Sequence, residues 1–152
     1  RYAKLKDHAS RETCVNFYVS QVDAINNWDL VDLSCYKILG HWLFDKDKQL
    51  LYDWAKENHL WKQRIAMISC MHFVKQGEFK DALAIADLLQ HHPHDLIHKA
   101  VGWILREIGK EDEQLLIDYL TPRYKEMPRT MLRYAIERFE EGKRKTFLNS
   151  MI

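Results

Sequence analysis

Asp32, Arg64, His98 and Arg133 each stand two residues before a small side chain, Ser34, Ala66, Ala100 or Ala135. This column of polar residues mixes charge signs, and the carboxylate is its odd member. A groove that only gripped nucleic acid would not carry a carboxylate, because it repels phosphate. Asp32 is therefore the first residue to consider for chemistry. Trp28 lies four positions earlier, so on a helix or its first turn the two side chains share a face. A structural role also suits this segment: Asp29 or Asp32 would answer a helix dipole, with Trp28 packing as a staple.

Other constellations are weaker. His94-Asp95-Leu96-Ile97-His98 has the spacing of a zinc-protease helix, but Asp replaces the usual Glu, and no clear third ligand follows. No GxSxG elbow and no Gly-rich phosphate loop occurs, which removes hydrolase-elbow, kinase and dinucleotide readings. The 23 basic residues nearly balance the 22 acidic ones, yet from Pro122 onward eight basic residues face four acidic ones, leaving residues 1–121 at −3. Arg129 falls in the first turn of a helix, where a cation opposes the dipole. That placement suits either an anionic partner or a merely solvated basic face.

The elements that would position these residues are helices. With five Gly and three Pro in 152 residues, the chain has few places for the sharp turns of a sandwich or Rossmann fold. Apolar residues such as Trp61, Ile65, Ile68 and Phe73 follow a 3.6-residue period, and nothing alternates as a strand would. Punctuation by Asn, Asp, Gly and Pro predicts helices over 10–24, 29–43, 47–57, 60–76, 79–90, 95–108, 111–121 and 128–140. The small residues recur at spacings of 32, 34 and 35, with two helices per unit, which is the signature of an α-solenoid. The expected fold is all-α, a HEAT-like stack of antiparallel helix pairs forming one domain over 1–152. The small residues would sit where stacked helices approach, and the polar ones would line a concave face.

Every apolar run is broken well short of a membrane span, and Cys14, Cys35 and Cys70 form no CxxC pair. These features predict an intracellular, cytoplasmic protein without a disulfide framework. There is no initiator Met, so the chain reads as part of a longer protein.

Four segments in order carry a resemblance: Ile25-Asn26-Asn27-Trp28-Asp29-Leu30-Val31-Asp32, Leu60-Trp61-Lys62-Gln63-Arg64-Ile65-Ala66, His94-Asp95-Leu96-Ile97-His98-Lys99-Ala100-Val101-Gly102-Trp103, and Met127-Pro128-Arg129-Thr130-Met131-Leu132-Arg133-Tyr134-Ala135. Together they resemble the DNA alkylation repair family of HEAT-like-repeat DNA glycosylases (the AlkD type). The resemblance runs from about residue 20, and it implies further N-terminal helices that family members usually carry. It also implies excision of N3- or N7-alkylated purines from duplex DNA, without a base pocket. Trp28 and Asp32 match the family's active-site Trp and Asp, Arg64 its Arg, and Trp103 its second aromatic. One departure is Gln63, which stands where the family commonly has a second Arg.

These residue types suit that chemistry. An N3- or N7-alkylated purine is cationic, so it leaves without a general acid, and one carboxylate suffices where ordinary glycosidases use two. Asp32 would stabilise positive charge growing on the sugar and orient the attacking water. The indoles of Trp28 and Trp103 would meet the sugar edge and the cationic lesion. Arg64 would hold a phosphate and keep Asp32 ionised. Lys99, Arg106, Arg129 and Arg133 are candidates for DNA-backbone contacts. No cofactor or metal is expected, and the partner is alkylated double-stranded DNA, bound by a monomer away from any membrane. The alternative is a non-catalytic DNA- or protein-binding scaffold on the same fold.

Overall fold

The structure is a computed structural model, and it describes residues 7–21 and 36–149. All regular structure among the described residues is helical. Helix α1 covers His8–Ser20, and a π-helical turn, Tyr36–Gly40, runs directly into α2, His41–Leu43. Then follow α3 (Gln49–Lys56), α4 (Leu60–Lys75) and α5 (Lys80–Leu89). The chain closes with α6 (Asp95–Glu111), α7 (Glu113–Leu120), α8 (Arg129–Ala135) and α9 (Glu141–Leu148).

The helices form an all-α repeat fold in two rows. In the main row the π-turn packs on α4, α4 on α6, and α6 on α8. In the flanking row α3 packs against α4 and α5, α5 against α4 and α6, and α7 against α6. Helix α4 lies in the middle and is buried nearly all round, from Gln63 through Met71. That position explains its sequence, since a helix apolar on every side must be enclosed. Ile65 and Ile68 are fully buried and Phe73 nearly so, whereas Trp61 is only half-buried.

Ala66, Ala100 and Ala135 are all buried, as a stack of closely approaching helices needs. A close approach falls beside them, at Gly102. A Cβ there would stand 2.5 Å from the Tyr134 Cβ and 2.7 Å from the Met131 carbonyl oxygen, so α6 and α8 meet almost backbone to backbone. Turns are equally specific. Helix α4 ends in a Schellman arrangement: Gly77 N–H donates to the Val74 carbonyl and Glu78 N–H to the Phe73 carbonyl, both at 2.9 Å. Gly77 has φ +84°, a conformation that side chains with a Cβ resist.

Three sequence expectations need correction. Helix α6 does not stop before Gly109 but continues to Glu111, and Gly109 serves packing instead, since a Cβ there would stand 2.6 Å from Leu116 Cδ2 of α7. Asp112 alone links the two helices and caps α7, its Oδ1 accepting from Leu115 N–H at 3.1 Å. The helix expected over 128–140 ends at Ala135. A ninth helix then begins at Glu141 and passes through Gly142, held by Phe147, whose ring lies 5.3 Å from Tyr124 and 5.8 Å from Phe139.

The flanking row is tied along its length by side chains about one repeat apart. Tyr52 of α3 donates to Asp81 of α5 at 2.6 Å, and Tyr119 of α7 donates to Asp87 of α5 at 2.8 Å. Burial, then these carboxylates, push both phenols well above the ordinary tyrosine range, so they remain donors. Lys143 of α9 reaches Glu113 of α7 at 3.0 Å.

Candidate functional site

Trp28 and Asp32 lie outside the described residues, as does Ser34. The candidate site is therefore approached from the helices that carry Arg64 and Trp103. Arg64 belongs to the first turns of α4 and is only 5% exposed. Its Nη1 donates to the Leu96 carbonyl in the first turn of α6. A buried guanidinium needs such acceptors, because leaving its donors unsatisfied is costly. Seven residues beyond Leu96, two turns along the same face of α6, stands the half-buried Trp103. The arginine and the indole thus come from neighbouring main-row helices, joined at the start of α6.

That joint is built from histidines and an amide. His59 caps α4, its Nδ1 accepting from Lys62 N–H at 3.2 Å, and His94 caps α6, its Nδ1 accepting from Leu96 N–H at 3.1 Å. His92 accepts from His94 N–H on Nδ1 at 3.0 Å, which places its own proton on Nε2. From there it donates to Gln63 Oε1 at 2.8 Å. The Gln63 amide nitrogen donates in turn to the Ala55 carbonyl at 3.5 Å, at the end of α3. His98 Nε2 donates to the His92 carbonyl. Burial foremost, then His94 and His98, hold His92 below the ordinary imidazole value, consistent with its neutral, two-partner role.

Gln63 and the histidines therefore have uses that the sequence did not reveal. Gln63 is 8% exposed and ties α3 and α4 to the turn before α6. The zinc-protease-like spacing serves the backbone: His94 caps α6, and His98 braces the turn that precedes it. Among the described residues, no group of three or more His, Cys, Asp or Glu is placed to hold a metal ion.

The candidate DNA-contact residues differ in how committed they are. Arg133 of α8 is exposed and has no ion pair or hydrogen bond among the described residues. Lys99 pairs with Asp95 at 3.2 Å, with both side chains more than a third exposed, so the pair is weak and easily exchanged. Arg129 opens α8, where the dipole disfavours it, but its Nη1 donates to the Leu148 carbonyl at 2.8 Å. The negative end of α9 thereby answers the cation. Arg106, three residues after Trp103, is 20% exposed and paired with Glu137, while its Nε is buried without a partner among the described residues. The structure thus brings Arg64 to the start of the helix bearing Trp103, leaves Arg133 open, and engages Arg106 and Arg129 with protein groups.

Among the described residues no helix is long and apolar enough to cross a membrane. No curated protein matches the chain. The family described as DNA alkylation repair enzyme matches residues 1–139, which takes in all four ordered segments, the Arg64 joint and the helices α4, α6 and α8. The chain accordingly belongs to the DNA alkylation repair enzyme family.

Proposed function

We propose that the protein is a DNA glycosylase that hydrolyses the C1′–N bond of N3- or N7-alkylated purines in duplex DNA. The observation that carries this reading is membership of a family of DNA alkylation repair enzymes, matched across Trp28, Asp32, Arg64 and Trp103. Alkylation makes the purine cationic, so bond cleavage releases a neutral base and needs no proton from the protein. Positive charge moves to the sugar. Asp32 stabilises that charge and orients a water, whose oxygen bonds to C1′ as its proton is lost to the carboxylate or to solvent.

Trp28 and Trp103 offer indole faces to the lesion and the sugar, each contributing about 0.5–2 kcal/mol. Arg64 steadies a phosphate beside the lesion. The bond from Arg64 Nη1 to the Leu96 carbonyl supports this role, because it fixes one edge of the guanidinium against the helix that bears Trp103. Arg133 and Lys99 supply backbone contacts, being the least committed cations of the set. The HEAT-like stack presents these residues to DNA on an open face rather than in a base pocket, and the protein acts as a monomer.

Exchanging Asp32→Asn removes the charge and keeps the shape. Release of 7-methylguanine is expected to fall about 10²–10³-fold, with affinity for the same DNA retained. Equal release by the variant would overturn the mechanism.

A further inference from the structure

Four hydrogen bonds of the α4–α6 joint close into a circuit. Arg64 Nη1 donates to the Leu96 carbonyl. Leu96 N–H donates to His94 Nδ1 at 3.1 Å, and His94 N–H donates to His92 Nδ1 at 3.0 Å. His92 Nε2 donates to Gln63 Oε1 at 2.8 Å. The circuit thus starts on Arg64 and ends on Gln63, its neighbour in α4. His98 fastens it from α6, since its Nε2 donates to the His92 carbonyl. The Gln63 amide nitrogen anchors it to the end of α3, at the Ala55 carbonyl 3.5 Å away.

The circuit depends on the protonation of His92. Its Nδ1 accepts and its Nε2 donates, so one proton sits on Nε2 and none on Nδ1. A second proton turns Nδ1 into a donor facing the His94 N–H. That link then breaks, while the link to Gln63 survives. What loosens is the turn that sets the Leu96 carbonyl, the acceptor for Arg64. Burial foremost, then His94 and His98, hold His92 below the ordinary imidazole value. The other titratable groups of the joint, among the described residues, come from each element packed there. His91 shares the turn, and His59, Lys62 and Arg64 belong to the start of α4. Lys62 is paired with Glu57 after α3 at 2.9 Å, and Lys99 with Asp95 on α6 at 3.2 Å. In α5, Asp87 is engaged by Tyr119 and Arg123.

We propose that Gln63 and His92 are positioning residues for Arg64, and that a second proton on His92 frees the guanidinium from its working direction. The function of Arg64 rests on the glycosylase reading, to which this coupling adds control by pH. Arg64 is held above pH 6.5, and the hold is lost as pH falls through the lowered value of His92. Base release therefore slows in acid before a carboxylate of ordinary pKa, about 4, takes up its proton.

The test uses the whole chain and two readouts, each followed from about pH 8 to about pH 5. The Arg64 Nε–H NMR resonance reports the guanidinium without any catalysis. Single-turnover release of 7-methylguanine from methylated duplex DNA, at saturating protein, reports its use. In the native chain the Arg64 resonance is expected to move with the midpoint of the His92 ring titration. Release is expected to fall about tenfold through the same midpoint. His92→Gln should abolish that inflection in both readouts. Gln63→Glu should move it upward by about one pH unit, because a carboxylate favours the imidazolium. A merely structural role would lower the rate without displacing the midpoint. Retained resonance dispersion checks the fold of each variant, and the native titration needs no variant at all. No release at any pH, with the Arg64 resonance still following His92, supports the coupling and overturns the glycosylase reading instead. An Arg64 resonance indifferent to the His92 titration, or the same acid limb of release in His92→Gln as in the native chain, would overturn the proposal.

Discussion

The joint between α4 and α6 and the joint between α6 and α8 occupy equivalent places in the repeat but are held by opposite means. The first is polar: Arg64 on the Leu96 carbonyl, Gln63 on His92, and His98 on the His92 carbonyl. The second is steric, with Gly102 against the Met131 carbonyl and the Tyr134 Cβ, and its helix α8 starts at Pro128 without a side-chain cap. A polar joint fixes the direction of a charged side chain and responds to pH. A steric joint fixes distance and tolerates no added volume. Arg64, whose direction matters to the proposed function, is at the polar joint.

The largest effect is expected at the steric joint. Gly102→Val would force α6 and α8 apart and cost about 3 kcal/mol, read by denaturant unfolding. The same substitution at a joint with slack would cost far less, so a loss under about 1 kcal/mol would erase the contrast. Next comes Gln63→Leu, which removes a partner from the half-buried Nε2–H of His92. A loss of about 1–3 kcal/mol is expected, and it should be smaller when His92 is also replaced.

Acid distinguishes the joints without mutation. His92 is held below the ordinary imidazole value of 6.5 chiefly by burial, so the folded state takes up its proton later than the unfolded chain does. Stability from this group is therefore full above pH 6.5 and is lost as pH falls below it, until the folded histidine also protonates. His41 and His72 contribute in the same direction. His92→Gln should flatten the acid limb of a stability-versus-pH curve, and an unchanged slope would remove His92 from the account. The smallest effect is expected at Lys99. Lys99→Ala should alter stability by less than about 0.5 kcal/mol while lowering the salt dependence of DNA binding by about one phosphate contact.

Much of the fold was legible in the sequence where local signals were strong. Helices α4, α5 and α7 begin and end within about two residues of expectation, since Gly77, the His91-His92-Pro93 turn and Pro122 interrupt unambiguous apolar periods. Helix α9 was not legible: its polar start and Gly142 read as an ending, and the aromatic contacts that hold Phe147 come from residues distant in sequence. At the candidate site, Arg64 stood out by type and spacing, and Trp103 by the family resemblance. Gln63 could not be assigned, because its meaning depends on His92, 29 residues away. Likewise, the unfavourable dipole position of Arg129 suited either an anionic partner or a solvated face, and the bond that it makes to the carbonyl end of α9 left no local signal. The flanking-row ties Tyr52–Asp81 and Tyr119–Asp87 left no trace either, since an exposed-looking Tyr and Asp a repeat apart carry no local signal.

The central claim is excision of a cationic base, and base release from methylated duplex DNA measures it directly. The purified chain is expected to free 7-methylguanine in first-order fashion well above spontaneous depurination, leaving the strand intact with an abasic site. Tight DNA binding with release no faster than the protein-free control would contradict it and leave a scaffold in its place.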